Sequence, residues 1–134
     1  MFTSASPATA LRIASWITAI NVLIAAGYSV AGIVSPTSIL PAGLETNEAS
    51  SIFALYGAAR AMPFAIVTLV VIYQQWPRGL ALVGALAGVI QLLDAGVGFT
   101  QADPRKIIGP LVIAVLQFLA LSVLYRSGKS TTTG

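Results

Sequence analysis

The sequence predicts an all-α integral membrane protein: a four-helix bundle with antiparallel, up-and-down helices and both termini on one side. Of the 134 residues, 57% are hydrophobic and only 8% are charged, whereas soluble domains carry about 25% charged residues. The apolar residues fall into four runs near the ~20 residues that cross the hydrocarbon core of a bilayer. These runs lack the alternation of barrel strands, and backbone groups in lipid then require helices.

The chain divides into four predicted spans within a single domain, 1–134. We place these spans at about 10–34, 51–73, 79–99 and 107–125, with a flexible tail at 127–134. Proline interrupts each connection, at Pro36 and Pro41, at Pro77, and at Pro104. The first connection, 35–50, mixes apolar residues with two glutamates. It is interpreted either as an interfacial helix or lid, or as a solvated connector.

The distribution of lysine and arginine predicts the orientation. The N-terminus, the second connection and the C-terminus together hold Arg12, Arg78, Arg126 and Lys129. The opposite side holds Arg105 and Lys106, with three acidic residues beside them. Because cytoplasmic loops are enriched in basic residues, we expect both termini in the cytoplasm and the protein in the plasma (inner) membrane.

Composition also excludes several classes of function. The chain has no cysteine and no histidine, which excludes disulfides, thiol nucleophiles, histidine-based triads and Cys/His metal sites. We expect no cofactor and no metal. The seven basic residues are scattered at the ends of spans, and they form no stripe of the kind that binds nucleic acid. The predicted partners are the lipid bilayer, a lipophilic ligand, and a homo-oligomer or larger membrane complex.

Two charges lie inside apolar runs, Arg60 in the second span and Asp94 in the third. A charge near the bilayer centre costs roughly 2.5–3.5 kcal/mol on insertion scales. Counting from the ends of the spans gives depths of about 13 Å for Arg60 and about 8 Å for Asp94, a difference that an arginine side chain can cover. The sequence therefore predicts that Arg60 and Asp94 meet as an ion pair.

Further polar residues accompany this predicted pair. Tyr56 lies one helical turn before Arg60, and Gln91 one turn before Asp94. Asn21 in the first span and Gln117 in the fourth lie nearer the midplane. We interpret these six residues as a candidate site that binds or converts a lipophilic molecule, covered by the 35–50 connection. A paired, ionised Asp94 would be a poor general acid and a weak base, so the sequence leaves open whether any reaction is catalysed.

Two alternatives remain open at this stage. In the first, the protein is an accessory or structural subunit of a membrane complex or homo-oligomer, and the ion pair only clamps helices. In the second, it is a small ion-coupled transporter with Asp94 as the ion site. The pattern Gly84-x-x-x-Gly88 is typical of close helix contacts, and we expect it to pack within the chain rather than between chains.

The second and third spans also carry a family resemblance. The runs Gly57-Ala58-Ala59-Arg60, Arg78-Gly79-Leu80-Ala81 and Gln91-Leu92-Leu93-Asp94-Ala95 resemble small four-helix membrane proteins of the domain of unknown function 4267 group, which are doxX-like in general pattern. Members of that group often have an Arg-Asp pair in the second span. Here Ala61 follows Arg60, so Asp94 is the acid left for Arg60. The resemblance implies a four-helix membrane bundle and no particular activity.

Overall fold

A computed structural model of the chain describes residues 5–41 and 43–129. The described chain forms four α-helices, and a 3₁₀ turn at Pro36–Ser38 follows the first of them. The helices are α1 Pro7–Val34, α2 Glu48–Tyr73, α3 Pro77–Thr100 and α4 Pro104–Lys129. Each is long and apolar enough to cross a membrane. The prediction of an all-α chain with four apolar helices is therefore confirmed.

Local capping explains why the helices begin earlier than the predicted spans. At the start of α2, the Asn47 side chain accepts a hydrogen bond from the Ser50 backbone N–H at 2.8 Å, and the Ser50 hydroxyl accepts one from the Asn47 N–H at 2.9 Å. This reciprocal capping box begins α2 at Glu48. Helices α3 and α4 begin at Pro77 and Pro104, where the missing N–H of proline costs no helical hydrogen bond.

The last helix extends into the predicted tail. Ser127 and Lys129 are helical, and the Ser127 hydroxyl donates to the Leu124 carbonyl at 2.8 Å. The Lys129 ammonium lies 4.7 Å from the centre of the Tyr125 ring, one turn earlier. These contacts carry α4 to Lys129, while residues 130–134 of the predicted tail lie outside the described residues.

Two clusters of buried side chains define how the helices pack. At one end of the molecule, the start of α1, the end of α2, the start of α3 and the end of α4 meet. We call this end the turn end, because α2 and α3 are joined there by a short turn; its cluster is Ala10, Ala14, Val71, Leu80, Ala120 and Leu124. A middle cluster joins Val22 of α1, Ala65 of α2 and Ala87 of α3. The opposite end, with the 35–47 connection, is the loop end.

The helices are not equally packed against one another. The most extensive contact is between α3 and α4, and α1 packs against both α2 and α4, whereas α2 and α3 touch only sparingly. Large apolar side chains cover the outside of the described helices, including Trp16, Phe53, Leu82 and Phe99, all more than two-thirds exposed. The buried residues are mostly small or polar, as expected where helices pack closely in lipid.

Lys106 fastens the loop end. Its ammonium donates to the Ile39 carbonyl and to the Gln101 side-chain oxygen, both at 2.8 Å, and lies 4.0 Å from an Asp103 carboxylate oxygen. One side chain thus ties the connection after α1 to the start of α4 and the turn before it.

Replacing Lys106 with methionine, which keeps the aliphatic stem, is expected to loosen this connection selectively. Hydrogen exchange in the connection between α1 and α2 should accelerate, because the Ile39 carbonyl loses its donor. Overall stability should change by less than about 1 kcal/mol, since the interactions are part-exposed. Arg105→Met is the matched control. Unchanged exchange in the Lys106→Met protein would show that Lys106 does not hold the connection.

Candidate functional site

The interior contains a continuous chain of polar side chains. The Gln91 amide donates to the Asn21 side-chain oxygen at 2.7 Å. The Asn21 amide donates to the Gln117 oxygen at 3.1 Å, and the Gln117 amide donates to the Thr18 hydroxyl at 2.8 Å. All four residues are at least 96% buried. We call this set, Thr18, Asn21, Gln91 and Gln117, the amide network; it joins α1, α3 and α4.

Small residues on the same helix faces make this network possible. Along α1, the buried stripe Ala10, Ala14, Thr18 and Asn21 has helical spacing. On α3, a Cβ placed at Gly84 would lie 2.8 Å from the Gln117 amide nitrogen and 3.3 Å from the Thr18 hydroxyl. The absence of a side chain at Gly84 therefore lets α3 approach close enough for the amides of three helices to meet.

Gly84 and Gly88 of α3 pack within the chain, as the sequence predicts. A Cβ at Gly84 would also meet Leu121 of α4 at 3.0 Å, and one at Gly88 would meet the Phe118 ring of α4 at 2.8 Å. By contrast, Gly27 and Gly57 have nothing within 4 Å of an added Cβ. Gly84 and Gly88 thus serve the contact between α3 and α4.

The amide network is suited to holding helices together rather than to chemistry. Its members are neutral amides and a hydroxyl, which are weak acids and bases near neutral pH. Each donor amide is engaged by an acceptor of another residue. Helix α2 makes no hydrogen bond to the network within the described residues, and the fully buried Thr68 hydroxyl of α2 has no hydrogen-bond partner there. The sequence predicts that all four helices contribute polar groups to one interior. In the described structure, α2 contributes no side chain to the amide network.

Arg60, Asp94 and Tyr56 lie outside this network. All three are exposed, and Tyr56 is 59% exposed. Within residues 5–41 and 43–129, neither Arg60 nor Asp94 makes a hydrogen bond or an ion pair. The buried polar residues of the described chain are threonine, asparagine, glutamine and serine, in place of the expected Arg60–Asp94 pair.

The packing of α2 explains this difference. Its buried residues, Ala58, Ala65, Thr68 and Val71, belong to a helix that packs mainly against α1. Around the helix axis, Arg60 lies about 160° from Ala58 and about 140° from Ala65, the two buried residues nearest to it along α2. At this level of the helix Arg60 is therefore directed away from the packed face, in agreement with its exposure. Asp94 lies at the edge of the buried stripe of α3, one residue before the buried Ala95.

Although they form no ion pair within the part of the chain that the structure describes, Arg60 and Asp94 lie at nearly the same height. Ala65 and Ala87 belong to the same middle cluster and provide a common level. Arg60 lies five residues from Ala65 towards the loop end, about 8 Å along the helix axis. Asp94 lies seven residues from Ala87 in the same direction, about 11 Å. The two opposite charges thus lie within about 3 Å of one level, on two helices that touch only sparingly.

The six predicted site residues therefore separate into two groups. Asn21, Gln91 and Gln117 meet in the interior, while Tyr56, Arg60 and Asp94 lie on the exposed surface. Sequence reasoning missed Thr18, which accepts the last hydrogen bond of the network. Its position three residues before Asn21, in register with Ala10 and Ala14, was the signal that would have identified it.

Comparison with known proteins adds no name to this site. No family model, no curated protein and no solved structure matches the chain. The resemblance to the domain of unknown function 4267 group stays a prediction, and the residues themselves are the basis for a function.

Proposed function

We propose that this chain is an integral protein of the plasma (inner) membrane whose helices alternate in direction, with both termini in the cytoplasm. The clusters support alternation, because the starts of α1 and α3 meet the ends of α2 and α4 at the turn end. That end carries Arg12, Arg78, Arg126 and Lys129, while the acidic residues Glu45, Glu48 and Asp103 lie towards the loop end. Basic residues favour the cytoplasmic side, and the turn end has four of them against Arg105 and Lys106 at the loop end, which supports a cytoplasmic turn end.

Within the membrane, the protein acts as a self-associating structural subunit, in which Arg60 of one copy pairs with Asp94 of a second copy. The observation that carries this proposal is the exposure of two opposite charges at one height, neither of which has a partner among the described residues. A charge facing acyl chains is costly, and transmembrane charges characteristically pair with one another. The amide network satisfies the interior without them, which leaves Arg60 and Asp94 available to a partner outside the chain.

Symmetry makes a second copy of the chain a suitable partner. Two copies inserted with the same orientation are related by a two-fold axis along the membrane normal, and this operation keeps every residue at its own height. Because Arg60 and Asp94 differ by only about 3 Å in height, the axis brings each arginine level with the aspartate of the other copy. A two-fold dimer then forms two equivalent ion pairs with no displacement of either copy along the normal.

Charge reversal tests this pairing. Arg60→Asp alone should place a second carboxylate opposite Asp94 of the other copy, and Asp94→Arg alone should place two arginines together. Because like-charge juxtaposition costs several kcal/mol, each variant alone should lose more than about tenfold in self-association. Co-reconstituting the two variants restores both pairs, and their mixed dimer should recover wild-type association. Energy transfer between differently labelled copies in vesicles measures all three cases.

The same experiment separates pairing between copies from pairing within one chain. A pair within one chain cannot be restored by mixing, because each variant carries its own repelling charges. Recovery of association in the mixture therefore supports the dimer. If each single variant self-associates as strongly as the wild-type protein, the dimer is contradicted. Leu93→Arg, which places a charge at a 66% exposed position about 100° around the helix from Asp94, is the control for adding a charge to the exposed surface of α3.

The absence of cysteine from the sequence allows a direct geometric check. A chain with Arg60→Cys and a second chain with Asp94→Cys should form a disulfide between copies on mild oxidation. The pair Arg60→Cys with Leu93→Cys should cross-link less, because Leu93 points about 100° away around the helix. Equal yields for the two pairs would count against a specific contact.

A second candidate function uses the same residues without a second copy. Helices α2 and α3 touch sparingly, and they present Arg60, Tyr56 and Asp94 in the loop-end half. A lipophilic molecule with a polar group between α2 and α3 would meet both charges at one level. In this case Asp94→Asn should abolish co-purification of that molecule, detected by mass spectrometry of solvent extracts, while self-association stays unchanged. Retained binding in Asp94→Asn would exclude this function.

A further inference from the structure

A shallow groove runs along the start of α1 at the turn end. Arg12 and Trp16, one helical turn apart, form a ridge with a recess on each side. One recess reaches Ile72 near the end of α2 and Gln75 in the turn after it, with Leu11, Ser15 and Ala19 on the α1 side. The polar side chains of this recess are Arg12, Ser15 and Gln75, and its lining is otherwise apolar.

The chemistry of this groove is that of a site for an anionic headgroup. Arg12 is exposed and makes no hydrogen bond or ion pair with another residue of the described ranges. The other charges at this end, Arg78, Arg126 and Lys129, are also positive. The four acidic residues lie in the loop-end half or in the connections there. The charged side chains of the described residues at the turn end therefore all have one sign, and they attract anions.

The depth of Arg12 identifies the source of the anion. Helix α1 has 28 residues, a length of about 42 Å, so roughly 6 Å extends beyond each side of a ~30 Å hydrocarbon core. Arg12 lies five residues after Pro7, about 8 Å along the helix. Its guanidinium reaches the phosphate level by extending towards the nearer surface. Tyr73 and Trp76, at least half exposed, lie at this end of the molecule as expected of an interfacial aromatic belt, and the exposed Trp16 lies about 6 Å deeper than Arg12.

We propose that the groove beside Arg12 and Trp16 binds one anionic phospholipid of the cytoplasmic leaflet. Arg12 pairs with the lipid phosphate, Gln75 and Ser15 supply polar contacts at the headgroup, and an acyl chain lies along Trp16, Ala19 and Ile72. The proposal depends on the transmembrane placement of α1 but not on the pairing of Arg60 with Asp94. It places a specific lipid at the contact between α1 and α2, the principal contact that holds α2 in the bundle.

Quenching of Trp16 by brominated lipids tests this assignment. In a Trp76→Phe background, Trp16 is the remaining tryptophan, and vesicles contain either brominated phosphatidylglycerol or brominated phosphatidylcholine at equal fractions. We expect phosphatidylglycerol to be preferred, and Arg12→Gln to lower that preference about fivefold, the effect of one cation near an anionic surface. Arg105→Gln at the loop end is the control and should leave the preference unchanged.

Two outcomes would overturn the proposal. Equal quenching by both lipids in the parent protein would show that no anionic lipid is selected. An equal loss of preference in Arg78→Gln and Arg12→Gln would show general attraction to the surface rather than a site at the groove. If Trp76→Phe impairs folding, native mass spectrometry of the tryptophan-intact protein gives the same comparison: retained phosphatidylglycerol should fall with Arg12→Gln and not with Arg105→Gln.

Discussion

Replacing Gly84 with leucine is expected to destabilise the protein by about 3 kcal/mol or more. A Cβ at this position already lies 2.8 Å from the Gln117 amide nitrogen and 3.0 Å from a Leu121 methyl group. Overpacking of a tight contact costs roughly 1–3 kcal/mol. The displaced Gln117 would also lose hydrogen bonds to Thr18 and Asn21, which adds the cost of buried unsatisfied groups. Reversible unfolding in mixed micelles, followed by tryptophan fluorescence, measures the change.

Gly96 on the same helix provides the matched control. An added Cβ there has nothing within 4 Å, so Gly96→Leu meets no neighbour and gains about 1 kcal/mol in helix propensity. Gly84→Ala should fall between the two, because one methyl group requires the smallest shift of Gln117. Similar stabilities for Gly84→Leu and Gly96→Leu would mean that α3 does not approach α4 at Gly84 as closely as described.

The four helices were predictable from the sequence because the hydropathy that identifies each span is summed over many residues. A span near 20 apolar residues is set by the thickness of the hydrocarbon core, and proline marks the connections independently. The sequence also shows a stripe of small and polar residues at helical spacing on α3, which indicates a packed face in lipid; its members are Gly84, Ala87, Gln91, Asp94 and Gly98. The structure buries four of the five and exposes Asp94.

The partners of Arg60 and Asp94 were not predictable in the same way. Counting residues along a helix fixes height, and the heights of the two charges do agree. Whether they meet depends on the rotation of α2, and hydropathy carries little information about rotation when the outer face is as apolar as the inner one. On α2, the buried Ala65 and the exposed Ile66 are both apolar. Side-chain size does not identify the buried face of α2 either, because Gly57 and Ala59 are exposed on the same helix.

Removing the Asn21 amide, which lies at the centre of the amide network, is also expected to destabilise the protein strongly. Asn21→Leu should cost roughly 1–3 kcal/mol, because it leaves the Gln91 amide and the Gln117 oxygen without the partners they have at 2.7 Å and 3.1 Å. The effect should exceed that of Ser122→Ala, whose hydroxyl bonds only to the Leu119 carbonyl of its own helix. Unfolding in mixed micelles is again the measurement, and equal losses in the two variants would contradict a network between helices.

The origin of the stability loss in Asn21→Leu can be tested by also removing the two amides that lose their partners, those of Gln91 and Gln117. The triple variant Asn21→Leu, Gln91→Leu and Gln117→Leu leaves no unsatisfied amide, and Thr18 can donate to a carbonyl of its own helix. Replacing both partners of a buried hydrogen bond by apolar groups can be nearly neutral, so the triple variant should be more stable than Asn21→Leu alone. A triple variant less stable than the single one would show that the hydrogen bonds themselves stabilise the bundle. Recovery would instead show that the amides chiefly fix which helix faces meet, with close packing at Gly84 supplying the stability.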